Sequence, residues 1–177
     1  MTPMDATWAW LEKAVIGLNL CPFAKAVHAK GQVRWVLSEA TDTAALLKLL
    51  VQELKFLVAA DPVQIDTTLI VHPQVLQEFN DFNRFLGVAE KALAELDLEG
   101  VLQIASFHPR YQFADAAPND IGNATNRSPH PTLHLLREDS IERAVQAFPE
   151  AEAIYERNIE TLRRLGPEGW GRLLTRD

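Results

Sequence analysis

The chain has 177 residues, of which 47% are hydrophobic, and it carries a formal net charge of −7. This length and composition provide for one domain with a hydrophobic core. The acidic balance argues against general nucleic-acid binding, which needs clustered basic residues, and no run of about 20 apolar residues is present to span a membrane. The single cysteine, Cys21, excludes an intrachain disulfide, and the N-terminus lacks the pattern of a signal peptide. We therefore expect a cytoplasmic protein.

The first quarter of the chain predicts two helices and a strand. Apolar residues recur at spacings of three and four over residues 6–19, which predicts an amphipathic helix. Pro22 suits the first turn of a second, short helix. Cys21 would then lie at the N-cap of that helix, where the helix dipole favours a thiolate. The β-rich segment 32–38 is predicted to be the first strand.

The rest of the chain predicts further helices and strands around one long irregular segment. Residues 109–131 show no periodicity and lie between apolar segments, so we expect an ordered loop that covers a site. Residues 132–137 fit a strand or the start of a helix, and we favour a strand. The other predicted elements are a helix over 43–59, a strand over 67–71, a helix over 75–96, a strand over 101–107, and helices over 139–148 and 149–165 with a last turn at 170–174.

Strands that alternate with helices predict the fold class. Such an order implies parallel strand pairing through right-handed crossovers. No linker or internal repeat interrupts the chain. We therefore expect a single α/β domain over residues 1–177, with a small, mostly parallel sheet of three to four strands flanked by helices.

Two predicted strands end in a His-Pro pair, at His72 and at His108. The carboxyl ends of parallel strands meet at one edge of a sheet, where ligands commonly bind. Two imidazoles at that edge suit acid/base catalysis or a divalent metal ion such as zinc, with His134 or the thiolate of Cys21 as a third ligand. The alternative is that each His-Pro pair simply ends a strand, with the imidazole hydrogen bonds closing the turn.

The long loop also contains residues that suit an anionic ligand. The guanidinium of Arg127 can hold a carboxylate or phosphate in a bidentate fork, and Asn126 and Tyr111 can recognise polar groups. The alternative is that Arg127 ties its own loop to Asp115 or Asp120. Cys21 has two interpretations as well: a nucleophile next to one of the histidines, or a small buried side chain.

Three segments of the chain resemble a known family. They read Gly-Leu-Asn-Leu-Cys-Pro-Phe-Ala, Ala-Ser-Phe-His-Pro-Arg-Tyr-Gln-Phe and Thr-Asn-Arg-Ser-Pro-His-Pro-Thr-Leu-His-Leu-Leu-Arg-Glu. They resemble the bacterial family known as domain of unknown function 1415, over about residues 7–174. The resemblance implies no activity, substrate or cofactor.

These patterns lead to three functional hypotheses. The first is an enzyme that acts on a small anionic molecule, with His72 and His108 as catalytic groups or metal ligands and Arg127 as the anion-binding group. The second is a thiol-dependent enzyme that uses Cys21 with one of these histidines. The third is a non-catalytic ligand- or partner-binding module whose recognition surface is the loop 109–131.

Overall fold

The computed structural model of the protein describes residues 1–175, so Arg176 and Asp177 of the predicted domain lie outside the described part. The α-helices are α1 Pro3–Trp10, α2 Ala24–Ala29, α3 Thr43–Ala59, α4 Phe79–Glu95, α5 Glu138–Ala147 and α6 Ile154–Leu174. The strands are β1 Val33–Leu37, β2 Thr67–Val71, β3 Leu102–Phe107 and β4 Thr132–Arg137. A π-helix spans Leu11–Ile16, and 3-10 helices span Ile121–Asn126 and Ala151–Ala153. Within residues 1–175, no helix has the length and apolar character needed to cross a membrane.

The four strands form one sheet in the order β1-β2-β4-β3. Only β1 and β2 pair in parallel, whereas β4 is antiparallel to both β2 and β3. The mixed α/β class is confirmed, but the prediction of a mostly parallel sheet is wrong. The reason lies in the long loop, which leaves β3 at Phe107 and enters β4 at the paired residue Thr132. Because the loop begins and ends at the same edge of the sheet, β4 has to run back antiparallel.

Several predicted elements are confirmed by the structure, since local periodicity determines them. The helix over 43–59 and the strand over 67–71 have the predicted bounds, and residues 132–137 form a strand. Asp42 caps α3, because its Oδ1 accepts a hydrogen bond from the Ala45 N–H.

Other boundaries differ for local reasons. The first predicted helix changes at Leu11 from α- to π-helical hydrogen bonding. The fourth begins at Phe79 rather than at residue 75, after a turn in which Leu76 adopts a φ of 61°. Helix α2 begins at Ala24, with Phe23 as its N-cap, so Cys21 does not cap it. The last helix bends at Gly166 (φ 70°) and continues to Leu174 rather than ending there.

The sheet separates two layers of helices. On one side, which we call the packed face, side chains of the strands meet α3 and α4 in the main hydrophobic core. The strand residues of that core are Ile70, Leu102, Leu133 and Leu135. The other side, which we call the cavity face, carries Trp35 and Phe107 and meets α1, the π-helix and the end of α6. Since successive side chains of a strand alternate, neighbouring residues of β4 belong to different faces.

Candidate functional site

The two strand-end histidines lie at the carboxyl ends of β2 and β3, but the start of β4 separates them. The His72 N–H donates to the Pro131 carbonyl at 3.0 Å. Both imidazoles turn toward the packed face, where they contact the ring of Phe82 from α4. The ring centroids are 5.8 Å apart for His72 and 4.9 Å apart for His108.

Both ring nitrogens of His108 are bonded to the backbone. Nε2 donates to the Leu76 carbonyl at 3.0 Å, and Nδ1 accepts from the Arg110 N–H at 3.0 Å. Burial lowers the pKa of His108, and the nearby charge of Arg110 lowers it as well. The Nε2 proton and the Nδ1 lone pair are therefore both occupied, and neither is free to bind a metal ion or a substrate. The geometry favours the strand-ending role over the catalytic role. The catalytic role stays a prediction.

His72 is fully buried and has one bonded nitrogen. Nδ1 donates to the Val75 carbonyl at 3.1 Å, whereas Nε2 has no partner and no contact with solvent. Burial lowers the pKa of His72 to about 4, and the neighbouring His108 contributes in the same direction. The ring stacks on Phe82. A catalytic role for His72 stays a prediction too. The buried Nε2 leaves no accessible space for a substrate beside it.

The predicted metal ligands are not brought together. His134 lies in β4 and borders a cavity on the cavity face, whereas His72 and His108 lie on the packed face. Among residues 1–175, no group of three or more His, Cys, Asp or Glu side chains is arranged to hold a metal ion. The alternation of side chains along β4 explains this separation.

The long loop packs against the rest of the chain, and its predicted role of covering a site stays a prediction. Its 3-10 helix places Ala124 against Leu20 and against Leu162 of α6. Asn123 is buried and fixes the loop, because its side chain accepts from the Phe113 N–H at 3.0 Å and donates to a backbone carbonyl at 2.8 Å.

The candidate anion-binding residues hold the loop to itself. Arg127 donates from Nε to the Tyr111 carbonyl at 3.0 Å and from Nη2 to the Pro118 carbonyl at 2.9 Å. Neither predicted carboxylate partner pairs with it among the described ion pairs. Asn126 donates to the Ser106 carbonyl at 3.1 Å, and the Tyr111 ring packs against Phe79 at 5.3 Å. An anion-binding role stays a prediction for these residues.

The cavity face encloses a space that the sequence analysis did not anticipate. A cavity of about 150 Å³ lies between the sheet, the π-helix, α2 and α5. Most of its wall is apolar. Its polar members are Cys21, Asp66, Thr67, His134, Arg137 and Ser140.

The two charged residues at this cavity are already engaged. Ser140 Oγ donates to Asp66 Oδ1 at 2.6 Å. The Arg137 guanidinium donates to the carbonyls of Leu57 and Ile65 at 2.8 and 2.9 Å, where it caps the end of α3. Asp66 Oδ1 and Arg137 Nη2 are therefore already hydrogen-bonded within the protein.

His134 and Cys21 each have a polar group without a full set of partners, and among the other residues of the wall Trp10 Nε1 and Arg137 Nε are buried without a partner. Nε2 of His134 lies 2.8 Å from Thr67 Oγ1, and burial lowers the pKa of the imidazole to about 4. Burial raises the pKa of the Cys21 thiol, although hydrogen bonds from the N–H groups of Phe23 and Ala24 act in the opposite direction. At neutral pH the cavity therefore contains a neutral imidazole and a protonated thiol.

Cys21 lies on the side of the sheet opposite to the strand-end histidines. It packs in the cluster of Trp10 and Phe107, whereas His72 and His108 pack on Phe82. The predicted pair of Cys21 with one of those two histidines is therefore not formed. Instead, the thiol shares a cavity with His134.

An unusual helix forms part of the cavity wall. The π-helix contributes Leu11 and Val15, and such helices are rare and frequently occur at functional sites. It ends at Gly17, where a Cβ atom would lie only 2.2 Å from the Lys13 carbonyl oxygen. The chain then turns through Asn19, at a φ of 53°, before it reaches Cys21.

Sequence reasoning treated His134 only as an optional metal ligand. A signal for its position was present in β4, where a histidine takes the place of an apolar residue between two leucines. The alternation of β4 puts Leu133 and Leu135 in the main core and His134 on the other side.

Comparison with known proteins identifies the family. The family model described as "Protein of unknown function (DUF1415)" matches residues 2–172, so the chain belongs to this family, as the resemblance predicts. No curated protein and no solved structure matches the chain significantly.

Proposed function

We propose that this member of the DUF1415 family binds a small, mostly apolar molecule in the cavity on the cavity face. The observation that carries the proposal is the cavity itself, with a volume of about 150 Å³ and a largely apolar wall. Protein interiors are normally packed as closely as organic crystals, and apolar side chains that line an unfilled space lose contacts at a cost in stability. A ligand that fills the cavity recovers part of that cost.

The volume and the wall indicate the size of the ligand. An apolar cavity of about 150 Å³ is large enough for one six-membered ring. Side chains from the π-helix, α2, α5 and the sheet surround the space, so a bound molecule is buried on most of its surface. This proposal keeps the hypothesis of a ligand-binding module but moves the binding site from the loop to the cavity.

The proposal is tested with toluene as the probe. We expect an excess of toluene over its dissociation constant to raise the melting temperature by about 3–5 °C, which corresponds to an increase of about 1–2 kcal/mol in the free energy of unfolding. Ala144 of α5 borders the cavity, and Ala144→Leu should abolish this shift because the added carbon atoms occupy the space.

The matched control is Ala147→Leu, a substitution at an exposed position of the same helix. It should leave the toluene shift unchanged. If toluene does not stabilise the native protein, or stabilises Ala144→Leu equally, the proposed function is wrong.

A second candidate function is a thiol-dependent reaction. It is favoured by one observation: Cys21 and His134 border the same cavity. The raised pKa of the thiol argues against it, since the thiolate is the nucleophile. Rapid alkylation of Cys21 by iodoacetamide near pH 7, lost in His134→Leu, would support this function. Slow alkylation that increases only toward alkaline pH would remove it.

The predicted anionic ligand stays a prediction. It is supported by Arg127, whose guanidinium loses hydration by burial, which lowers its pKa, and has no carboxylate partner among the described residues. Stabilisation of the native protein by phosphate or citrate, lost in Arg127→Gln, would establish it. Equal stabilisation of both proteins would remove it.

A further inference from the structure

We infer that the ligand of this cavity is a neutral molecule that carries a hydrogen-bond donor, such as a hydroxyl group, and donates it to Nδ1 of His134. The inference rests on the proposed function and specifies the chemical class of the ligand. It follows from the hydrogen bonds of two residues on adjacent strands, Thr67 on β2 and His134 on β4.

The first step concerns the single hydroxyl hydrogen of Thr67. Thr67 Oγ1 lies 2.5 Å from the Leu135 carbonyl oxygen, which can only accept, so the hydroxyl donates its hydrogen there. The same oxygen lies 2.8 Å from Nε2 of His134. Because the hydroxyl has no second hydrogen, Oγ1 has to accept from Nε2. The proton of the neutral imidazole is therefore on Nε2, and Nδ1 carries a free lone pair.

The second step concerns the surroundings of Nδ1. This nitrogen has no hydrogen-bond partner among the described residues, yet it is not one of the buried polar atoms that are sealed from solvent. The side chain of His134 is partly accessible, and it forms part of the cavity wall. The accessible surface of Nδ1 therefore faces the cavity.

The third step is the chemistry that such an acceptor selects. A carboxylate offers only acceptors to Nδ1, so the lone pairs of the two groups would repel each other. An ammonium group would lose its hydration in a space whose wall is largely apolar. A neutral hydroxyl or ring N–H satisfies the acceptor at the smallest cost of desolvation. A phenol-sized molecule meets both this requirement and the volume.

The test compares phenol and toluene, which have the same shape and differ in one hydroxyl or methyl group. Dissociation constants are measured by calorimetry at pH 7.5 for the native protein and for His134→Leu. We expect the preference for phenol over toluene to fall by about tenfold in the variant, because the hydroxyl loses its acceptor. Toluene should bind the variant at least as tightly as it binds the native protein.

The possible results separate the two proposals. Toluene binding with an unchanged preference would overturn the donor requirement and leave the cavity-binding function intact. Failure of both probes to bind the native protein would overturn both.

A spectroscopic measurement tests the tautomer without relying on the folding of His134→Leu. Long-range ¹H–¹⁵N correlation of the native protein at pH 7 should show the His134 proton on Nε2. Phenol should then shift the Nδ1 resonance, and toluene should not. Thr67→Val removes the hydrogen-bond acceptor and should give a mixture of tautomers with a weaker preference for phenol. A proton on Nδ1 in the native protein would overturn the inference.

Discussion

The histidine side chains on the two faces of the sheet differ in their hydrogen bonds and in the space beside them. On the packed face, His108 has both nitrogens bonded to the backbone, and the one unpaired nitrogen of His72 has no space beside it. On the cavity face, the unpaired nitrogen of His134 borders an open volume. The comparison indicates that burial and a lowered pKa do not by themselves identify a site. Our proposed site rests instead on an unused hydrogen-bonding group next to an accessible space.

The largest expected effect tests whether the two faces differ in packing. Leu133 is fully buried in the main core, whereas Leu69 is buried at the wall of the cavity. We expect Leu133→Ala to lower the free energy of unfolding by about 4 kcal/mol. Leu69→Ala should cost only about 2–3 kcal/mol, because its side chain already lacks contacts toward the cavity. Urea unfolding at pH 7.5 measures both values.

Equal costs for the two leucines would break the comparison, since they would mean that the cavity face is packed as closely as the other. The pair is well matched. Both residues lie in the two central strands of the sheet, and both lose the same three carbon atoms.

The next largest effect is a loss in the free energy of unfolding at acid pH. Burial lowers the pKa values of His72 and His134 to about 4, so the unfolded chain, with an ordinary histidine pKa, binds protons first as the pH falls. The stabilisation is fully present above about pH 6.5 and is lost between pH 6.5 and about 4, by roughly 3 kcal/mol for each histidine. His72→Leu and His134→Leu should each reduce the acid-induced loss by this amount, measured by urea unfolding at pH 7.5 and 4.5.

This pair of variants also sharpens the comparison of the faces. A much smaller effect for His134→Leu than for His72→Leu would show that water in the cavity hydrates the imidazolium of His134. If both variants keep the full acid-induced loss of the native protein, the two buried histidines do not control it.

The smallest effect compares two glycines. A Cβ atom at Gly17 would collide with the Lys13 carbonyl, whereas a Cβ atom at the exposed Gly87 of α4 meets nothing within 4 Å. We expect Gly17→Ala to destabilise the protein by about 2 kcal/mol. Gly87→Ala should stabilise it by about 0.5–1 kcal/mol, because alanine restricts the unfolded chain and favours the helix. Thermal unfolding measures both, and a neutral Gly17→Ala would show that the π-helix adapts easily.

Sequence reasoning was reliable where neighbouring residues determine the structure. The bounds of α3 and β2 follow from apolar periodicity and from the capping residue Asp42. The place of β4 within the sheet could not be derived in this way, because its pairing with β2 and β3 depends on residues that are distant along the chain. Only the return of the loop to the edge where it began determines the antiparallel direction of β4.

The site shows the same limit at the level of side chains. The sequence places histidines at two strand ends but does not show that the Leu76 carbonyl and the Arg110 N–H occupy both nitrogens of His108. It also does not show that backbone carbonyls rather than carboxylates bind Arg127. The cavity is invisible in the sequence, because it is a space left between side chains from the π-helix, α2, α5 and the sheet.

The order of the strands has a consequence for synthesis on the ribosome. β3 is completed at residue 107, but its hydrogen-bonded neighbour β4 begins only at residue 132. Until β4 has left the exit tunnel, the nascent chain exposes an unpaired edge on β2 and carries β3 with no partner strand at all. Such edges are templates for pairing with other chains, so we expect the nascent chain to be prone to such pairing until its second central strand has been made.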